Sequence, residues 1–254
     1  MAANRWRASA ATDAAIDVGA DPGEITAPTS VHRGTIAAMT DPSAPSSRTT
    51  VRRLADRGRY DAATIHAILD EAHLVHVGVV VDGEPRVLPM VHARIDDRLY
   101  LHGAVGNALL RGGTSAEVCV TATLLDGLVL ARSAFHHSVN YRSVVVLGQA
   151  EKVDDPDEKA RAFDALIDHV VPGRSAQARP ADAGEARATL VLRVPLAEAS
   201  AKVRVGPPID DDADLDLEVW AGVVPVRTVL GAPEQDELQR DDERLARLAP
   251  PALS

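Results

Sequence analysis

Two segments of this chain concentrate hydrogen-bond donors where a strand gives way to irregular backbone. The first is Tyr100-Leu101-His102-Gly103-Ala104-Val105-Gly106-Asn107. It reads as a strand that ends in a glycine-containing turn and then opens a helix. Free backbone N–H groups at a helix start favour an anion, and Gly103 and Gly106 let a ligand approach the main chain closely. His102 and Asn107 add side-chain donors, with Arg111 about one helical turn farther on. The chemistry these types suit is phosphate binding; the plain alternative is a strand–helix corner. The second segment is Phe135-His136-His137-Ser138-Val139-Asn140-Tyr141-Arg142-Ser143. Ser138, Asn140, Tyr141 and Arg142 are all donors, and an arginine can hold a phosphate through two parallel hydrogen bonds. His136 and His137 are adjacent, so in extended chain they face opposite sides and make poor joint metal ligands. No HExxH helix or zinc-type Cys/His spacing occurs, and no metal site is expected.

Two further stretches suit a flat ring rather than a phosphate. Glu84-Pro85-Arg86-Val87-Leu88-Pro89-Met90-Val91-His92 reads as a strand carrying a proline. Pro89 removes a ladder donor, so the stretch belongs at a sheet edge or a barrel opening, where free backbone groups can meet the polar rim of a heteroaromatic ring. A plain edge strand is the simpler reading. Glu218-Val219-Trp220-Ala221-Gly222-Val223-Val224-Pro225 places a tryptophan among small residues, to stack on a ring or to cap a barrel end. A nucleophile elbow, a phosphate-binding Walker loop and a dinucleotide fingerprint are all missing from the sequence.

The elements that must position these residues follow from periodicity. Asp61–Ala72 reads as a helix with Asp61 as its N-cap and Ile65, Ile68, Leu69 and Ala72 on one face. His73–Val81 and Pro85–Ile95 read as strands around an Asp82-Gly83 hairpin turn, with Arg98–His102 next. A short helix is expected at Ala108–Leu110. Ala116–Leu125 and Leu128–Ser133 follow around a turn at Asp126-Gly127, then a strand at Tyr141–Val153. Pro156–Val170 reads as a helix with proline in its first turn. Pro172–Glu185 reads as a loop, and Ala188–Val194 and Ala199–Gly206 as late strands. Six to seven strands joined mostly by hairpins indicate an α+β protein: an antiparallel split β-barrel with peripheral helices. A Rossmann sheet would alternate strand and helix throughout.

Composition bounds the function. The 254 residues are 46% hydrophobic and only 3% aromatic, so the core must be aliphatic. The net charge is -10, which disfavours nucleic acid. From Gly206 onward there are 12 acids and 4 Lys/Arg, a difference of -8. One cysteine, Cys119, allows no internal disulfide, and a cytoplasmic location is expected. No apolar run approaches the ~18–20 residues of a membrane span. Residues 1–47 read as a disordered extension, with Met39 a candidate alternative start, 48–230 as the barrel domain and 231–254 as a charged helical tail.

In order along the chain, several segments resemble the pyridoxamine 5'-phosphate oxidase-like, FMN-binding split-barrel proteins. They are Arg57–Asp61, Pro85–His92, Tyr100–Gly103, Ser138–Ser143, Val146–Ala150 and Trp220–Pro225. The subgroup resembled is the flavin-nucleotide-binding set that includes the 5-nitroimidazole resistance reductases. The resemblance implies FMN as cofactor and a homodimer with two cofactor sites at its interface. It implies that Arg86, Val87, Leu88 and Pro89 run along the isoalloxazine and that His102 and Gly103 lie near the phosphate. Many relatives place a basic residue shortly after this turn. Here the chain departs from them, reading Gly106-Asn107-Ala108 with Arg111 the first basic residue, which shifts the expected phosphate contact toward Arg142. Ser138, Asn140, Tyr141 and Arg142 would complete the cradle, with Trp220 near the ring. A flavin-dependent oxidoreductase acting on a small molecule is the function so implied, the flavin doing the electron transfer and no side chain being required as acid or base. A non-catalytic flavin carrier or sensor, or the same barrel holding deazaflavin or haem, are the alternatives. His92, His102, His136 and His137 are the conceivable haem ligands.

Overall fold

The computed structural model describes residues 44–106, 116–234 and 236. Two antiparallel sheets face each other across one aliphatic core. The larger has the order β1-β10-β7-β6-β2-β3, and β11 adds to the free part of β6. Its strands are β1 (Gly58–Arg59), β2 (Val75–Val81), β3 (Glu84–Met90), β6 (Glu117–Leu130), β7 (Ser138–Gln149), β10 (Ala199–Arg204) and β11 (Gly222–Pro225). The smaller sheet has the order β4-β5-β9-β8, from β4 (His92–Ile95), β5 (Arg98–Ala104), β8 (Glu151–Lys152) and β9 (Thr189–Pro195). The chain crosses between sheets at Val91, where β3 becomes β4, and at Ala150, where β7 becomes β8. This is the split-barrel, α+β arrangement. Among the described residues, no helix is long and apolar enough to cross a membrane.

Alternation explains the sheets. Val75, Val77 and Val79 point inward from β2 and meet Val118 and Val120 of β6, Val144 and Val146 of β7, and Leu99 and Leu101 of β5. Helix α1 (Ala62–Glu71) plugs this core with Ile65, Ile68 and Leu69. Its Asp61 side chain accepts the Thr64 N–H at 2.8 Å, so the cap and the apolar face are those the spacing indicates. Helix α2 (Pro156–Val170) covers the outer face of the smaller sheet, where Ala162 meets Tyr100 and Val191.

Four boundaries differ from expectation. Pro85–Ile95 is two strands in two sheets, because the chain crosses at Val91, and Tyr141–Val153 is likewise two, because β7 starts at Ser138 and the chain crosses at Ala150. Asp126-Gly127 is no turn but an irregularity inside a single β6, with the register shifting between Leu125 and Gly127. The shift falls where β11 joins β6 as its neighbour, Pro225 opposite Gly127, and a Cβ on Gly127 would stand 2.9 Å from Val223 Cγ1 and 3.2 Å from the Val224 carbonyl oxygen. Pro172–Glu185 includes the start of a short helix, α3 (Ala183–Ala188), fixed by a reciprocal capping box between Asp182 and Glu185. The proposed helix at Ala108–Leu110 lies outside the described residues, as do the expected extension up to residue 43 and most of the tail beyond 234.

Candidate functional site

Strand β3 is the exposed edge. Arg86, Val87, Leu88 and Pro89 are all exposed, and β3 pairs only with β2 among the described residues. Pro85 and Pro89 are four residues apart, so both missing N–H groups fall on the same side of the strand. That side is the unpaired one, which is why two prolines coexist with a seven-residue strand. Asp82 and Gly83 adopt φ of 54° and 82°, the doubly left-handed turn that closes the hairpin back to β2. Among the described residues, the Arg86 side chain pairs with Glu84, at 3.3 Å and well exposed.

Two residues past Pro89 the same segment reaches a cavity. Val91 lines it, together with His102 of β5, residues of α2 and the segment that follows α2. Its volume is about 660 Å³, within the range of sites for compact cofactors. The floor is apolar: Phe163, Leu166, Ile167, Val170 and Val171. Among the described residues, His102 Nδ1 is buried without a hydrogen-bond partner, a state it shares with His92 Nδ1, Arg132 Nε and Ser133 Oγ. Burial pushes the His102 pKa down, which favours the neutral ring. An unsatisfied ring nitrogen is costly to bury.

His92, on β4, is also buried, but its role is structural. Its Nε2 donates to the Leu69 carbonyl at 2.9 Å, and His169 Nε2 donates to the Ala72 carbonyl at 2.8 Å. Both satisfy carbonyls that the end of α1 leaves open. Burial lowers the His92 pKa to about 4.

The second donor-rich segment is placed differently. Arg142, on β7, is gripped by two carboxylates. Its Nε and Nη2 reach Asp126 at 3.0 and 2.8 Å, Nη2 reaches Glu71 at 2.7 Å, and Nη1 also bonds Glu71. These hydrogen bonds raise the Arg142 pKa and hold Glu71 below the usual carboxylate range. Asn140 is buried, donating to the Gly206 carbonyl at 3.1 Å and accepting from Arg204. Ser138 and Tyr141 are half-buried in the ladder opposite Val129 and Leu125. Within one subunit this group does not join the β3 edge. Three strand steps separate β7 from β3, about 14 Å along the sheet. Arg86 also falls level with Gly148, six residues from Arg142. Within one subunit both two-pronged faces of Arg142 are taken up by Glu71 and Asp126.

Trp220 is 65% exposed and its ring lies over Gly222, where a Cβ would come within 2.9 Å. His136 pairs with Asp211 at 3.2 Å and His137 bonds the Ser133 carbonyl at 2.9 Å; neither lines the cavity. Gly103 pairs with Leu190 in the sheet. Asn107 and Arg111 lie outside the described residues. Sequence reasoning missed Val91, Arg174 and the α2 residues of the cavity floor. The only hint was the apolar side of α2, which reads equally well as core.

An antiparallel split barrel with an exposed proline-bearing edge beside a histidine cavity defines a class of cofactor-binding domain. Residues 61–203 match the family described as pyridoxamine 5'-phosphate oxidase, and the chain belongs to that family. Two solved structures are similar over most of their length. The flavocytochrome Anf3 from Azotobacter vinelandii is 43% identical, with a TM-score of 0.76 over 79% of this chain and 94% of that one. The FAD and heme binding protein from Mycobacterium smegmatis is 36% identical, with a TM-score of 0.70 over 73% and 91%. No curated protein matches.

Proposed function

We propose that this protein binds a flavin and a haem side by side and acts as a flavin-dependent oxidoreductase. One observation carries the pairing: a single run of chain supplies the exposed edge at Arg86–Pro89 and, two residues later, the wall of the His102 cavity at Val91. The flavin and haem named for the two similar structures support it.

The β3 edge offers the isoalloxazine rim its unpaired carbonyls and the Val87 N–H, with Val87 and Leu88 as apolar contacts. Gly103, Asn107 and Arg111 remain the phosphate candidates. His102 is assigned to the haem instead of the flavin phosphate, because its ring lines the cavity whose floor is apolar. The apolar floor from α2 keeps water from the haem face. The two groups supply electron transfer when bound; the side chains bind, orient and desolvate them. A homodimer would complete the flavin site, since only a second copy can bring Ser138, Asn140, Tyr141 or the exposed Trp220 to the β3 edge.

The visible spectrum of purified full-length protein tests this. Flavin bands together with a Soret band are expected, and chromatography of the released flavin distinguishes FMN from FAD. Colourless protein that takes up neither flavin nor hemin contradicts the proposal. Reduction of the bound flavin by a nicotinamide cofactor separates an oxidoreductase from a carrier.

A further inference from the structure

The cavity's apolar floor accounts for a flat ligand but not for which edge of that ligand points outward. Charge on the rim does. Arg179 is already occupied: it forms two hydrogen bonds to Glu185, at 2.7 and 3.1 Å, and one to the Pro180 carbonyl at 2.9 Å. Arg174 also lines the cavity, yet among the described residues its guanidinium bonds only a neutral amide, Gln177 Oε1, at 2.9 Å. The acidic member of the rim apart from Glu185 is Asp164, on α2. Ten residues separate it from Arg174, six of them along the helix, or about 9 Å of rise. The rim is therefore polarised, with a carboxylate at one end and an uncompensated guanidinium at the other.

Arg174 is also held in place. Val171 accepts its backbone N–H at 3.1 Å, closing a turn that passes through Gly173 at φ +78°. The next residue, Ser175, bonds Asp168 through both its N–H and its hydroxyl, each at 2.8 Å. The guanidinium thus starts from a fixed turn, which reduces the ordering cost of gripping a ligand.

Building on the haem reading above, we propose that Arg174 is a specificity residue: it selects a porphyrin that carries free carboxylates and holds them toward the turn after α2, away from Asp164. A guanidinium offers a carboxylate two parallel N–H donors, the geometry that a neutral or esterified porphyrin cannot exploit.

The test is a Soret titration of full-length protein with hemin and with hemin dimethyl ester, for the native chain and for Arg174→Gln. The native chain should bind hemin about tenfold or more tightly than the ester, the range of one charge-assisted pair. Arg174→Gln should weaken hemin to the level of the ester while leaving the ester's affinity unchanged. Circular dichroism and unfolding of the variant should match the native chain, since Arg174 is exposed. Equal native affinity for hemin and ester overturns the inference while leaving the haem reading standing. Discrimination that survives in Arg174→Gln does the same. Failure of both porphyrins to bind overturns the haem reading and the inference with it.

Discussion

The His102 cavity and the Arg142 clamp contain similar residue types and have opposite hydrogen-bond balances. In the clamp, one guanidinium meets two carboxylates, which take four of its five donors and leave no pair for a ligand. In the cavity, a buried imidazole nitrogen and a rim arginine lack the partners their chemistry calls for. Donor-rich sequence marks both places equally. An unpartnered atom alone does not make a site, since His92 Nδ1 is also buried without a partner; what sets His102 apart is that its ring lines a cavity with an apolar floor.

That contrast can be broken or sharpened, beginning with the largest effect. His92 sits beside the cavity strand but has a structural task. Its folded pKa of about 4 lies below its ordinary 6.5, so the folded state resists protonation. Its contribution is complete above pH ~6.5 and is lost as pH falls toward ~4, by about 3 kcal/mol at most. Asp70, His73 and His169 are the charged and titratable neighbours that shape this value. Urea unfolding from pH 7 to 4 should show the loss, and His92→Gln should flatten it; an unchanged slope in that variant contradicts the assignment.

Next, Gly127→Val forces a side chain into the space of Val223 and should cost roughly 2 kcal/mol through overpacking, read as a lower urea midpoint. Arg142→Met leaves Glu71 and Asp126 without their cation. Because Glu71 is about half exposed, the cost should be only about 1 kcal/mol. Flavin affinity should stay native in that variant; loss of flavin with stability intact would restore Arg142 as a phosphate ligand. Last, His102→Leu should stabilise the chain slightly, by up to about 1 kcal/mol, since it removes a buried nitrogen without a partner.

Much of the fold was legible. The buried face of α1, its Asp61 cap, the Asp82-Gly83 hairpin and α2 from Pro156 to Val170 follow from local periodicity and turn chemistry. So does the edge position of Pro89. What local pattern cannot carry is pairing at a distance. Glu71 lies 71 residues before Arg142, and Arg204 lies 64 after Asn140. The glycine of Asp126-Gly127 answers to β11, almost a hundred residues later, and so imitates a turn. The cavity had the same weakness: its floor is the helical stripe that any core helix shows, and only packing onto β5 turns part of it toward His102.

The most direct test compares the visible spectra of the native protein and His102→Leu, each purified and reconstituted with flavin and hemin. Native protein should show flavin bands and a Soret band of ligated haem; His102→Leu should keep the flavin bands and lose the ligated Soret band. A variant that retains it unchanged, or a native protein that never acquires it, would contradict the account.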